Sequence, residues 1–312
     1  MADPATARSS ASPNDLATGR QKLLGHLAVL LFAMLIAGSF TLGDLAIEVT
    51  TANTVTAVRF FFACILMAGV IRLSSGRWPT RPVAVWRYGV LGGLMMIYFL
   101  LMFVALGYSG PVSTGAVFTL IPFMSAGFGL LLLGQTTRPV VLLGLLIAAA
   151  GAVWVIFSGD IAAILEFRIG QGEAIFFFGC AAHALYAPMI KKLNRGEPVL
   201  LFTYYTLLGG AAIILVIALP DLLATDWLNL PSIFWITVAY LSIFTTAGTF
   251  YLVQFASMRL PSSKVLSYGY LTPSFIILYE GLIGHGWVSL SIMAGALVTA
   301  AALVWVALAP DR

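Results

Sequence analysis

Two charged side chains in this sequence stand where charge is expensive. Arg59 and Glu280 each interrupt a long apolar run, at depths of roughly 10 Å and 6 Å from its end at ~1.5 Å per helical residue. Buried charge in hydrocarbon persists when it is paired or functional. The two can form a structural ion pair, or act as a gate, or Arg59 can receive a carboxylate. A second set is polar and aromatic. Tyr98, Phe118, His183 and Tyr186 fall deep in apolar runs, and Ser39, Tyr240, Thr245, Thr246, Tyr251, Ser267, Tyr268 and Tyr270 lie at comparable levels. His183 and Tyr186 share a helix face at i, i+3, as do Ser267 and Tyr270. Such residues can line a solute cavity, the rings giving contact area and the imidazole and hydroxyls hydrogen bonds. They can equally bond helix to helix, and Tyr251 and Tyr268 also suit an interfacial belt.

Two prolines complete this set. Pro122 and Pro273 each sit inside an apolar run, about 15 Å deep by the same rise. A mid-helix proline frees a carbonyl and kinks the chain, which lipid tolerates where neighbours or a cavity satisfy the group. A packing kink and a cavity wall are both consistent with one such proline; two at matching depth favour the wall.

Other chemistry is thinly supported. Gly107-Tyr108-Ser109-Gly110 fits the short serine motif of rhomboid-like intramembrane proteases, with His285 as a base on the same side. In a chain of 30 glycines such a motif arises easily. Neither a His-Glu-x-x-His zinc site nor a Walker-type phosphate loop occurs. Cys64 and Cys180 lie in apolar runs without metal-ligand spacing. No enzyme activity, metal or cofactor is expected.

The elements that must position these residues follow from composition. Of 312 residues, 61% are hydrophobic and 9% charged, against roughly 25% charged in soluble domains. No water-soluble fold of this size hides that much apolar surface, so the expected solvent is a bilayer. Spans of about 20 apolar residues are expected near 24–46, 52–73, 85–107, 112–133, 138–157, 171–190, 198–219, 232–257, 263–284 and 287–308. Residues 1–22, rich in Ala, Ser, Thr and Pro, read as a disordered tail. A scaffold or receptor that transports nothing would share this composition but would place the mid-span polar residues in helix contacts.

Charge sets the orientation. Arg8, Arg20, Lys22, Arg72, Arg77, Arg81, Arg87, Arg138, Lys191, Lys192, Arg195, Arg259, Lys264 and Arg312 all fall on one side of the ten-span layout. Arg168 alone falls on the other, with Asp160, Glu166, Asp221 and Asp226 near it. By the positive-inside rule the first side is cytoplasmic and holds both termini. Topology thus accounts for the net charge of +4, and no nucleic-acid partner is expected. Asp44 and Glu173 read as solvated helix ends on the external side.

The halves resemble each other. Gly144 to Val155 aligns with Gly295 to Val306, each ending in Trp-Val, and Pro111 and Pro122 align with Pro261 and Pro273. Two five-span units, 23–157 and 158–312, are expected; the odd number makes the second inverted. Inverted repeats are a construction principle of secondary transporters, and fusion of both halves in one chain makes a functional monomer expected.

Ala37-Gly38-Ser39-Phe40, Val58-Arg59-Phe60, the Pro111–Leu133 span closing in Leu-Leu-Leu-Leu-Gly, and Gly144–Val155 together resemble EamA-type members of the drug/metabolite transporter superfamily. The nearest likeness is to YddG-type aromatic amino-acid exporters. The resemblance implies an all-α inner-membrane protein of ten helices in an inverted repeat, exporting amino acids or related metabolites. Where the family often has Glu after spans 4 and 9, this chain has Gln135 and His285. Without a carboxylate in the middle of the first span, facilitated diffusion or exchange is the expected mechanism. Only His183 offers a mid-span group that titrates near neutral pH.

Overall fold

The computed structural model describes residues 17–47, 49–79, 82–106, 108–109, 111–282 and 287–310; the side chains at 39–47, 103, 106, 111–114 and 280 lie outside the description. Among the described residues the chain is helical without strands. The helices are α1 Gly19–Ile47, α2 Ala52–Ser75, α3 Trp86–Leu106, α4 Pro111–Phe118, α5 Ile121–Leu133, α6 Pro139–Ile156, α7 Ile161–Leu165 and α8 Gln171–Leu193. They continue with α9 Val199–Ile217, α10 Leu219–Ala224, α11 Ser232–Tyr240, α12 Thr249–Ser257, α13 Ser262–Ser267, α14 Thr272–Leu282 and α15 Leu290–Leu308. A π-helical stretch, Leu241–Gly248, joins α11 to α12, and a 3₁₀ turn, Tyr268–Leu271, joins α13 to α14. Among the described residues eight helical segments are long and apolar enough to cross a membrane, and Trp86–Met102 is a shorter apolar one.

Local sequence explains the ends. Thr51 caps α2 by accepting from the Thr54 amide at 3.2 Å, and Asp160 caps α7 the same way from Ala163 at 3.1 Å. Gly76 and Gly134 stop α2 and α5 with φ of 69° and 65°, a left-handed conformation that costs glycine nothing. Leu131, Val216, Leu297 and Val304 remain exposed on the outer faces, where lipid rather than water would meet them.

Where helices cross, small residues let backbones approach. A Cβ on Gly144 would strike Val306, and one on Gly151 would strike Thr299 and the Gly295 carbonyl. Between them Thr299 Oγ1 donates to the Ala148 carbonyl at 3.4 Å, and Trp154 Nε1 donates to the Ser291 carbonyl at 3.0 Å. Partners fall in number along α15 as they rise along α6, so the two helices run antiparallel. The span made of α4 and α5 meets α13 and its 3₁₀ turn in the same antiparallel sense. Gln135 Oε1 accepts from the Ser262 amide at 3.3 Å, and Phe118 packs on Gly269.

Both of these latter spans are broken. The first is interrupted at Thr119–Leu120 and the second at Tyr268–Leu271. Pro122 and Pro273 each stand in the first turn of the helix that resumes, where the missing N–H satisfies no helical carbonyl in any case. At the breaks the Tyr270 hydroxyl donates to the Thr119 carbonyl at 2.6 Å. Removing that hydroxyl strands a buried carbonyl, a loss of about 1–3 kcal/mol. Tyr270→Phe is therefore expected to lower the melting temperature of purified protein while leaving its helix content, by circular dichroism, unchanged.

The basic end is closed by charge. Arg87, 1% exposed, donates to the carbonyls of Leu193 at 2.7 Å and Val83 at 2.9 Å and pairs with Glu197. Partial burial alone would raise the Glu197 pKa, but hydrogen bonds from Arg87 and the Arg195 amide outweigh it and hold the carboxyl below its ordinary range. A depressed pKa stabilises the folded state above the ordinary carboxylate range, and that contribution fades as pH falls through the lowered value. Glu197→Gln should thus melt lower than wild type at pH 7, with the gap closing on acidification in a thermal-shift series.

Candidate functional site

The deep aromatic residues converge. Tyr98 on α3 meets the His183 ring on α8 edge-on at 4.5 Å, and Phe118 at the end of α4 meets the same ring at 6.2 Å. From Tyr98 the contacts run to Phe99 at 5.3 Å, to Phe60 on α2 at 6.3 Å, to Phe250 on α12 at 5.6 Å and back to Tyr186 on α8 at 6.0 Å. Four spans and the α4 break thereby share one ring of aromatic groups. His183 is 7% exposed, and its Nδ1 is buried without a hydrogen-bond partner among the described residues.

Arg59 joins this group from α2. Its guanidinium carbon lies 4.5 Å from the Phe99 ring centroid and 5.7 Å from that of Phe60, a cation–π arrangement. Its Nε and Nη2 are buried with no partner among the described residues. The side chains of Glu280 and Ser39 lie outside the described residues, so the expected Arg59–Glu280 pair is not described.

Tyr186 divides from His183 despite sharing its face. Its hydroxyl accepts from Gln254 Nε2 at 3.1 Å, and Gln254 Oε1 accepts from Thr203 Oγ1 at 2.8 Å. This chain ties α8, α12 and α9 together, so Tyr186 takes part in helix-to-helix bonding as well as in the aromatic ring. Gln254 was missed among the candidate residues, yet a lone amide in an apolar span is a signal of the same kind as His183.

Other expected site residues stand outside these ring contacts. Tyr251 is half-buried beside Phe255 at 6.0 Å, and Arg259 covers Phe255 at 3.4 Å, near the end of the span. Tyr268 is buried, its hydroxyl 3.0 Å from His26 Nδ1, so it is a core residue and not part of a belt. Tyr270 and Pro273 belong to the α13–α14 break, and Pro122 to the matching one. Thr246 lies in the π-helical stretch with a buried hydroxyl that has no partner among the described residues. Stretches of π-helix recur at functional sites. Glu173 corrects the expectation of a solvated helix end: it is 5% exposed and accepts from the Gly170 amide at 2.8 Å, because it serves as the inward half of the α8 start. The Ser109 hydroxyl donates to the Ala105 carbonyl at 3.3 Å, and His285 lies outside the described residues.

Two hollows open at the helix ends carrying Asp160 and Asp221. One, about 460 Å³ and apolar, is lined by Val117, Leu120, Val153, Phe157 and Phe177 among others. The other, about 690 Å³, gathers Thr50, Asp221, Thr225, Asp226 and Asn229. Neither is lined by Tyr98 or His183, whose rings fill the space between them by direct contact.

Comparison with known proteins agrees with the membrane reading. The EamA-like transporter family matches this chain twice, over residues 23–157 and 170–308. An uncharacterized transporter of Bacillus subtilis (strain 168), YyaM, is 27% identical over 224 residues, 71% of this chain and 73% of that protein. A solved crystal structure superposes with a TM-score of 0.72 over 93% of this chain and 96% of its own, at 20% identity, a likeness of fold alone. Membership of a transporter family also implies a non-enzyme. Two family matches that together cover most of a chain built of apolar, membrane-length helices make this multi-pass membrane protein a member of the EamA-like transporter family.

Proposed function

We propose that the protein exports small metabolites, aromatic and other neutral amino acids first, by alternating access in a bacterial-type inner membrane. Ten spans form two five-helix units of opposite orientation, the α4–α5 and α13–α14 pairs each counting as one broken span. Both termini face the cytoplasm, and one chain suffices for transport.

The observation that carries this reading is a pair of hydrogen bonds. Thr299 to Ala148 and Tyr270 to Thr119 each join residues 151 positions apart, the offset at which the two halves align. Under a two-fold relation, equivalent residues touch only near the axis. Both contacts occur between antiparallel helices, as inversion of one half requires. One of them lies at the paired helix breaks, and discontinuous helices are where transporters of this construction bind solute. The aromatic group around His183 and Arg59 fits an apolar solute bearing few polar groups.

The test is uptake of radiolabelled phenylalanine by liposomes carrying the purified protein, with and without a pH gradient. Uptake above empty liposomes without a gradient is expected of a facilitator or exchanger. Absence of uptake for every amino acid, with folded protein, would remove the substrate claim.

A further inference from the structure

Arg59 presents an unusual face to its surroundings. Its guanidinium carbon sits over Phe99 at 4.5 Å, which occupies the flat face of the group and leaves the edges for hydrogen bonds. The two nitrogens that are buried and unmatched among the described residues are Nε and Nη2. These form one edge of the guanidinium, with N–H bonds pointing the same way, and that spacing meets both oxygens of one carboxylate. Two enclosed donors on a permanent cation are costly in hydrocarbon unless something accepts from them.

Among the described residues the neighbouring charges are one-sided. Tyr98, beside Phe99 on α3, lies within electrostatic reach of Arg59 and packs on His183 at 4.5 Å. Among the described acidic side chains none lines this group. Glu173 caps the start of α8, ten residues or about 15 Å from His183 along the helix. Glu197 pairs with Arg87 at the basic end. Asp160, Glu166, Asp221 and Asp226 stand in the helix connections and short helices beyond the spans. The described site therefore offers a cation with a free bidentate edge and a set of rings, and no anion to match an ammonium.

We propose that Arg59 is the carboxylate receptor of the transport site, so that the site selects organic monocarboxylates with an apolar or aromatic body, whether or not they carry an amino group. This rests on the transporter reading of the same site and sharpens its substrate class. The flat face stays on Phe99 while the Nε–Nη2 edge takes the carboxylate, and the aromatic group receives the body of the solute.

Two probes separate the ends of phenylalanine: 3-phenylpropanoate keeps ring and carboxylate, and phenethylamine keeps ring and ammonium. In liposomes carrying the full chain, 3-phenylpropanoate should compete with labelled phenylalanine, and phenethylamine should be at least about tenfold weaker, one decade in affinity. Arg59→Gln should lower uptake at least about tenfold and abolish the difference between the probes. Arg59→Lys, which keeps charge but not the two-pronged edge, should recover part of it. Glu280→Gln should leave the probe preference intact.

Thermal protection of detergent-purified protein by each probe gives a readout independent of transport. Protection by 3-phenylpropanoate that is lost in Arg59→Gln, with no phenylalanine uptake, would sink the amino-acid reading and keep the receptor. Equal competition by both probes in wild type would overturn the receptor. So would parallel loss of melting temperature in Arg59→Gln and Glu280→Gln with the probe preference retained in Arg59→Gln, the result of a purely structural pair.

Discussion

Valine in place of Gly92 is expected to leave no monodisperse folded protein on size-exclusion chromatography, and alanine there is expected to fold with a markedly lower melting temperature. A Cβ at this position would meet the Gly210 amide nitrogen and the Gly209 carbonyl carbon, both backbone atoms of α9. Gly209 faces the same squeeze from the opposite side, its Cβ striking the Tyr88 carbonyl of α3. No flexible side chain is available to yield, so an added methyl must separate the two helices. Overpacking of this kind typically costs about 1–3 kcal/mol, and more when backbone must move. Separation would spread to the aromatic group, because α3 also carries Tyr98 and Phe99, and α9 carries Thr203 of the Gln254 chain. Gly89 supplies the control. It lies in the same α3 with nothing within reach of an added Cβ, so Gly89→Ala should melt within a degree or two of wild type, as surface substitutions do. Equal losses at 89 and 92 would mean that the α3–α9 crossing does not decide, since helix propensity favours alanine over glycine at both positions.

That contrast also marks where the sequence was legible. Apolar runs and their Gly, Pro and Asp punctuation predict span limits that fall within a few residues of α1, α2, α3, α6, α8, α9 and α15, because one-dimensional hydropathy is what a bilayer reads. The equal depth of Pro122 and Pro273 anticipates two helix breaks. It does not anticipate their form, a two-residue gap in one span and a 3₁₀ turn in the other. Nor does periodicity reveal the π-helical stretch Leu241–Gly248, since the extra residue per turn answers to tertiary packing and not to composition. Depth alone groups Tyr98, Phe118, His183 and Tyr186, and their rings fall within one set of aromatic contacts. Depth says nothing about azimuth or partner: it placed Tyr251 with them and passed over Gln254, whose two hydrogen bonds hold Tyr186 in place. Glu173 reads as a solvated end because its distance from the helix start is short; it is buried by a capping contact that spacing cannot weigh.

His183→Phe should retain the fold and lose most of the transport. The imidazole makes ring contacts with Tyr98 at 4.5 Å and Phe118 at 6.2 Å, both of which a phenyl ring can reproduce. Its Nδ1, buried without a partner among the described residues, contributes nothing to packing that a carbon would not. A melting temperature equal to or above that of wild type is therefore expected, since replacing an unmatched buried polar atom removes its desolvation cost. Transport separates the roles. If that nitrogen meets the solute, its loss forfeits a hydrogen bond in an apolar site, about 1–3 kcal/mol, or roughly a 10- to 100-fold fall in the uptake rate per unit concentration. His183→Asn should show the converse, keeping a polar atom near the Nδ1 position while opening a gap beneath Tyr98. It should melt lower than wild type and transport better than the phenylalanine variant. Wild-type uptake by His183→Phe would assign the ring a packing role only and leave recognition to Arg59 and Tyr98. A proton-coupled mechanism through this imidazole predicts one more difference: a pH gradient would accelerate uptake in wild type and in neither variant. A facilitator or exchanger predicts that the gradient changes none of the three.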